Sequence, residues 1–122
     1  MSRDAEHHEQ AMLFAWIEVA KARTPELGMA FAIPNGGHRH IAVAAKLKRE
    51  GVKRGVPDLC LPVPRGRYHG CFLELKAGKN RATLEQRAWL DALDKLGYYT
   101  NVCIGWETAR DELTAYLAGS PR

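Results

Sequence analysis

Apolar residues recur at helical spacing through residues 5–22, at Met12, Leu13, Trp16, Ile17 and Ala20, and the stripe stops before Thr24-Pro25. That period predicts a helix with one face toward a core. MAFAI at 29–33 is short, wholly apolar and bounded by Gly28 and by PNGG at 34–37, which reads as a buried strand running into a loop. Alanines and a Lys/Leu/Lys run favour helix over 41–50, with Gly51 placed to stop it. Two runs near 56–63 and 70–76, joined by a Pro/Gly/Arg turn, predict a hairpin. Thr83 is suited to cap a helix whose apolar positions are Trp89, Ala92, Leu93 and Leu96 and whose stop is Gly97. YYTNVCI at 98–104 is strand by composition, and Ala109, Leu113, Tyr116 and Leu117 mark a last helix before the GSPR tail. The order α, β, α, β, β, α, β, α predicts an α/β fold, a mixed central sheet flanked by helices.

At 122 residues, with 46% hydrophobic and 26% charged, the chain is expected to form one globular domain over 1–122 with a core from about 6 to 117. No apolar run approaches the roughly 18–20 residues of a membrane span, and the opening MSRDAEHHEQ is too polar for a signal peptide, so a cytoplasmic protein without membrane contact is expected. Cys60, Cys71 and Cys103 are odd in number, lack CxxC spacing and lie in apolar segments. They are expected as buried free thiols, not as a disulfide or zinc framework. The net charge of +4 favours a polyanionic partner.

The hairpin carries the chemistry. Strand alternation puts Glu74 and Lys76 on one face and Leu73 and Leu75 on the other, and a turn centred on Gly66 pairs Asp58 with Glu74 and Leu59 with Leu73. A slip of one residue would reverse the faces. Two carboxylates opposed across strands repel, and a divalent cation is the natural neutraliser. Hard oxygen ligands suit Mg²⁺ or Mn²⁺, and Mg²⁺ takes one or two carboxylates, with water and substrate phosphate completing its shell. Such an ion polarises a phosphoryl oxygen and activates water, and Lys76 stands where it can orient or deprotonate that water. Two other readings of the same residues are a structural network, with Lys76 pairing both acids, and a glycosidase-like acid/base pair, which lacks an aromatic sugar platform here.

Pro57-Asp58 followed by Glu74-Leu75-Lys76 resembles the PD-(D/E)XK nuclease signature, weak when taken alone. The surrounding IPNGG at 33–37, LKREGVKRGVPDL at 47–59 and FLELKAGKNRATLEQ at 72–86 extend the likeness to the VRR-NUC (virus-type replication-repair nuclease) domain, of the small stand-alone phage or bacterial type. The resemblance implies a restriction-endonuclease-like core of αβββαβ order, with one helix inserted after the first strand. It implies that Asp58 and Glu74 bind the metal, that the Leu75 backbone carbonyl adds a ligand, and that Lys76 serves the hydrolytic water. It also implies a first-helix acid, matched best by Glu9, which shares a helical face with Leu13, Trp16 and Ala20, with Glu6 as the alternative. Gln86 matches a glutamine on the helix after the ELK strand, where it would orient a water on the metal, although Thr83-Leu84-Glu85-Gln86 also reads as a capping box.

Lys46, Lys48, Arg49, Lys53 and Arg54 precede Asp58, and Lys79 and Arg81 follow Lys76, flanking the carboxylates as phosphate contacts on DNA would. No helix-turn-helix or zinc-finger pattern supports base readout. The PNGG amides, with His38, Arg39 and His40, offer close phosphate approach or simply a turn. His7 and His8 are expected in solvent, and Trp16 and Trp89 in packing. Together these features predict a Mg²⁺- or Mn²⁺-dependent DNA endonuclease. Small relatives of this type imply a homodimer acting on branched DNA, either a four-way junction or a flap. A catalytically silent DNA-binding factor and an end-dependent exonuclease are the rival readings.

Overall fold

The computed structural model describes residues 3–34 and 41–119. The elements are α1 (Arg3–Ala20), a 3₁₀ turn (Pro25–Met29), β1 (Phe31–Ala32), α2 (Ile41–Arg49), β2 (Leu59–Leu61), β3 (Cys71–Lys76), α3 (Leu84–Lys95), β4 (Tyr99–Ile104) and α4 (Trp106–Leu117). The strands form one sheet in the order β1-β2-β3-β4, antiparallel across the first two pairs and parallel between β3 and β4. Without α2 and α4 the order is α, β, β, β, α, β, as expected. No helix among the described residues is long and apolar enough to cross a membrane.

The hairpin register agrees with the alternation: Leu59 pairs with Leu73, Cys60 with Phe72 and Leu61 with Cys71. The turn itself is a separate tight loop closed by Arg65 and Tyr68, so the strands are shorter than the apolar runs that contain them. Leu59, Leu61, Cys71, Leu73 and Leu75 face a core built with Leu13 and Ile17 of α1 and Ala109, Leu113 and Tyr116 of α4. Tyr116 is wholly buried, and its hydroxyl donates to the Val63 carbonyl at 2.6 Å, which ties α4 to the end of β2 and satisfies a polar group that burial would otherwise penalise. The three cysteines are buried thiols outside any disulfide, as expected.

The opposite sheet face is covered by α3, whose Thr83 cap and Gln86 form a complete capping box. The helix ends in a Schellman arrangement: Tyr98 N–H donates to Leu93 O and Gly97 N–H to Asp94 O, with Gly97 at φ 99°. Gly51 closes α2 in the same way, through Val52 to Leu47 and Gly51 to Lys48.

Two expectations fail. MAFAI is not a buried strand: Met29 ends the 3₁₀ turn, and β1 is two exposed residues at the sheet edge. The inward stripe of α3 is Leu90 and Leu93, while Ala92 is exposed and Leu96 is two-thirds exposed. Positions 86, 90 and 93 share one helical face, so once Gln86 turns to the sheet, Leu96 is carried outward.

Candidate active site

Asp58 is held from two sides. Pro57, which has no N–H to satisfy, is fully buried before it, and the Asp58 carbonyl accepts Ile33 N–H at 2.8 Å. The β2–β3 ladder stops at Leu59↔Leu73, and Leu75 N–H, past its end, donates to Asp58 Oδ2 at 2.8 Å. A side chain thus takes the ladder position that a backbone carbonyl would fill, which fixes the carboxylate one step along from Leu59, against Glu74.

Glu74 and Lys76 are the buried charged side chains of the described residues, 1% and 6% exposed. Glu74 Oε2 accepts from Gln86 Nε2 at 3.1 Å and lies 3.6 Å from Lys76 Nζ. Glu74 Oε1 is buried and receives no N–H donor among the described residues. Burial first, then the neighbouring Asp58 charge, pushes the Glu74 carboxyl up to about 9, and burial raises Asp58 as well. Without a cation the pair therefore holds a proton at neutral pH.

The first helix brings a third carboxylate to this cluster from Glu6. Its Oε1 lies 3.9 Å from Lys76 Nζ, and its Oε2 accepts from Asn80 Nδ2 at 2.6 Å. Glu9, the acid expected here, is turned elsewhere: its Oε1 accepts Trp106 N–H at 2.8 Å, so it caps the first turn of α4, whose own N-cap is Gly105 with no side chain to offer. One turn of α1 separates the two glutamates, and the capping bond decides which of them reaches Lys76.

Gln86 closes the expected capping box and also reaches the acid pair. Its Oε1 accepts Thr83 N–H at 2.8 Å, while its Nε2 donates to Glu74. Leu75, whose carbonyl was the expected further ligand, is buried in β3 between Glu74 and Lys76.

The basic residues divide. Lys46, Lys48, Arg49, Lys53 and Arg54 are all exposed, on a helix that buries none of its residues and on the segment after it. That segment is fastened to the start of α3: Trp89 Nε1 donates to Arg54 O at 3.1 Å, and Arg54 Nη2 lies 3.7 Å from Glu85 Oε1. Gly55 runs so close to Glu85 that a Cβ would sit 3.0 Å from its backbone. Arg54 is therefore held beside Glu85, the sequence neighbour of the Gln86 that touches Glu74. Lys79 and Arg81 are exposed in the β3–α3 loop on the other side of Lys76.

Trp16 packs half-buried against the core, and Trp89 serves as the tie just described. His7 and His8 are exposed, as expected. The loop amides at 35–37 and His38, Arg39 and His40 lie outside the described residues. Asn80, through its bond to Glu6, and Arg87, which lines the same groove as Asn80, were not expected. Asn80 sits in a short polar run and Arg87 on the polar side of α3, and neither position carries a periodic signal.

The donor set fits a divalent cation. Among the described residues no group of three or more His, Cys, Asp or Glu is arranged as a ready cage. Mg²⁺ does not require one, since one or two carboxylates suffice when water and phosphate complete the shell. Two opposed carboxyls that retain a proton despite the neighbouring Lys76 are what a cation would satisfy.

Comparison with known proteins bears on this arrangement. A family model described as the VRR-NUC domain matches residues 2–106. A solved structure titled "VRR_NUC domain protein" is similar over 99% of this chain and 94% of its own, with 28% identity and a TM-score of 0.78. A search of curated proteins returns no match. The likeness extends through the mixed sheet and its covering helices, consistent with a restriction-endonuclease-like core.

Proposed function

The chain belongs to the VRR-NUC family, whose domain is a nuclease domain acting generally on DNA, and from that premise we propose that it is a Mg²⁺- or Mn²⁺-dependent endonuclease for branched DNA. Asp58, Glu74 and the Leu75 carbonyl would hold the cation, and Glu6 in place of Glu9 is the first-helix acid. When bound, the ion supplies Lewis-acid stabilisation of the phosphoryl oxygen and lowers the proton affinity of water.

The chain's own groups do the rest. Leu75 N–H keeps Asp58 oriented toward Glu74. Gln86 keeps Glu74 in its rotamer and, being fixed by its own cap, does so without added flexibility. Lys76 Nζ, 3.6 Å from Glu74 and 3.9 Å from Glu6, attracts both acids at ion-pair distance and would turn toward water or a phosphate oxygen when substrate is present. The exposed cations around Arg54 and Arg81 bind the sugar-phosphate backbone and supply affinity without sequence readout.

The observation that carries this reading is the pair of opposed carboxyls, Asp58 and the buried Glu74, set beside Lys76. A structural ion network would keep both acids ionised through Lys76, whereas here Lys76 lies beside Glu74 and the pair still keeps a proton. A homodimer acting in the cytoplasm of a bacterium or a phage-infected cell completes the proposal. The exposed Phe31, Ile41 and Val43 are apolar surface of the kind a second copy would cover.

The test is incubation with linear, flapped, four-way and circular single-stranded DNA in Mg²⁺, Mn²⁺, Ca²⁺ or EDTA. Cutting of circular and branched DNA with Mg²⁺ or Mn²⁺ and none in EDTA is the expected result. Cutting only from ends would make it an exonuclease, and DNA binding without cutting in any metal would make it a silent binding factor.

A further inference from the structure

β4 is the outer strand beyond β3, and the parallel register sets Val102 beside Glu74 and Ile104 beside Lys76. Paired residues in a sheet share a face, so Val102 and Ile104 continue the carboxylate face outward. Beside them lies a groove of about 580 Å³, lined by these two residues and by Lys79, Arg81, Ala82 and Arg87. Its remaining lining residue, Asn80, donates to Glu6, so the groove and the acid cluster share a wall.

The groove pairs an apolar floor with a cationic rim. Ile104 is half exposed, and among the described residues no acidic side chain lines the groove. Lys79, Arg81 and Arg87 take part in no ion pair among the described residues. Arg87 Nε donates to Ala82 O at 3.3 Å, which steadies the guanidinium plane and leaves its other donors for a ligand.

Charge complementarity calls for a polyanion, and the apolar floor narrows its form. Duplex DNA presents phosphates and sugars outward with its bases stacked inside, so it offers little to Val102 and Ile104. An unpaired strand can turn its bases onto an apolar or guanidinium surface while its phosphates meet the rim. We propose that the groove along the β4 edge is a binding site for an unpaired DNA strand leaving the carboxylate cluster, read by Lys79, Arg81 and Arg87 and floored by Val102 and Ile104. The proposal rests on the nuclease reading and deepens it: DNA with a single-stranded arm is preferred over fully paired DNA.

The test uses the full chain in EDTA, with fluorescence anisotropy on a labelled oligo(dT) of about 12 nucleotides and on a hairpin duplex of similar length. For Arg87→Ala combined with Ile104→Ser, affinity for oligo(dT) should fall about tenfold, and the log-log salt slope should flatten by about 0.7 for the one phosphate no longer neutralised. Duplex affinity should change by less than about twofold. Arg87→Ala alone, at an exposed helix position, should flatten the slope equally with an unchanged melting temperature, which guards against a disturbed sheet end. Equal weakening on both DNAs, or none on either, would overturn the site. So would unchanged DNA binding with an altered oligomeric mass by light scattering, since the groove would then be a contact between copies. Cleavage separates this proposal from its premise. Wild-type protein that binds oligo(dT) through the groove but cuts no DNA with any metal upholds the groove and defeats the nuclease reading. Wild-type protein that cuts DNA, with a variant that binds both DNAs normally, does the reverse.

Discussion

The amide nitrogen of Gln86 donates to Glu74 Oε2 at 3.1 Å while the same side chain's oxygen closes the cap on Thr83, so one residue sets both the start of α3 and the posture of the buried acid. The two roles separate by substitution. Gln86→Glu keeps a capping-box residue and the helix, but it places a further carboxylate against Glu74. Its melting temperature in Mg²⁺ should stay near wild type while cleavage drops. Gln86→Ala should cost about 1 kcal/mol of stability as well. Wild-type cleavage in Gln86→Glu would reduce Gln86 to a cap.

The proton held by the acid pair makes stability depend on pH with a definite sign. Glu74 is raised from an ordinary 4.5 to about 9 and Asp58 is raised with it, so the native state binds protons that the unfolded chain releases. Stability from this source is full below the unfolded value and declines as pH rises through the window up to about 9. In EDTA, the melting temperature should fall by about 5 °C or more between about pH 6 and pH 8.5. Glu74→Gln should flatten that decline and be more stable than wild type at the upper end. Mg²⁺ or Mn²⁺ should stabilise the wild type most at high pH, where binding displaces the fewest protons. Calorimetry across the range checks all three, and a flat wild-type profile would contradict the coupling of the two acids.

Glu6 and Glu9 should part in their effects. Glu6→Gln removes the first-helix carboxylate that lies 3.9 Å from Lys76 and should weaken Mn²⁺ binding and cleavage while Asn80 keeps an acceptor. Glu9→Gln retains an oxygen for Trp106 N–H and should behave as wild type. Glu9→Ala should lose about 1–2 kcal/mol of stability through the uncapped helix, with Mn²⁺ affinity at low temperature little changed. Titration calorimetry beside thermal melts distinguishes them. A loss of metal binding in Glu9→Gln would return Glu9 to the site.

The hairpin was legible because its register follows from alternation alone: the leucines need one face, and that requirement carries Asp58 and Glu74 together on the other. The Gln86 cap was legible because Thr83-Leu84-Glu85-Gln86 is a local pattern that needs no tertiary neighbour. What failed depended on tertiary neighbours. Residues 29–33 are as apolar as a core strand, but Phe31 and Ala32 lie at the sheet edge, where β1 pairs with β2 alone, so the strand stays exposed and short. Glu9 shares the inward face of α1 with Leu13, and nothing local indicates that Gly105 leaves an N–H for it to cap. Arg87 reads as one more solvated charge until the β3–β4 register lays Val102 and Ile104 beside it.

Lys76 is assigned to water or phosphate and Asp58 to the ion, so their variants should fail differently. Asp58→Ala should abolish cleavage and Mn²⁺ binding while DNA affinity persists, because the exposed cations hold the phosphates. Lys76→Met should lose about 10²–10⁴-fold in turnover, the range of a positioned proton-transfer group, with Mn²⁺ affinity nearly unchanged. If Lys76→Met loses metal binding instead, the lysine's role is to hold the acids in place.

The basic segment on and after α2 offers the broadest test of how DNA is held. Lys46, Lys48, Arg49 and Lys53 are exposed and take part in no ion pair among the described residues, and Arg54 is only loosely engaged by Glu85 at 3.7 Å. An exposed pair at that distance is worth little, so Arg54 can exchange Glu85 for a phosphate at small cost. Replacing Lys48, Arg49, Lys53 and Arg54 with Ser should weaken duplex binding and flatten its log-log salt slope by about 0.9 for each phosphate no longer neutralised, alike for every sequence. Metal binding should persist, since Asp58 and Glu74 are untouched. Oligo(dT) affinity should fall much less than duplex affinity, because the β4 groove keeps its own cations. A variant with unchanged duplex affinity and slope would show that α2 presents a solvated face, leaving Lys79, Arg81 and Arg87 to carry the whole DNA path.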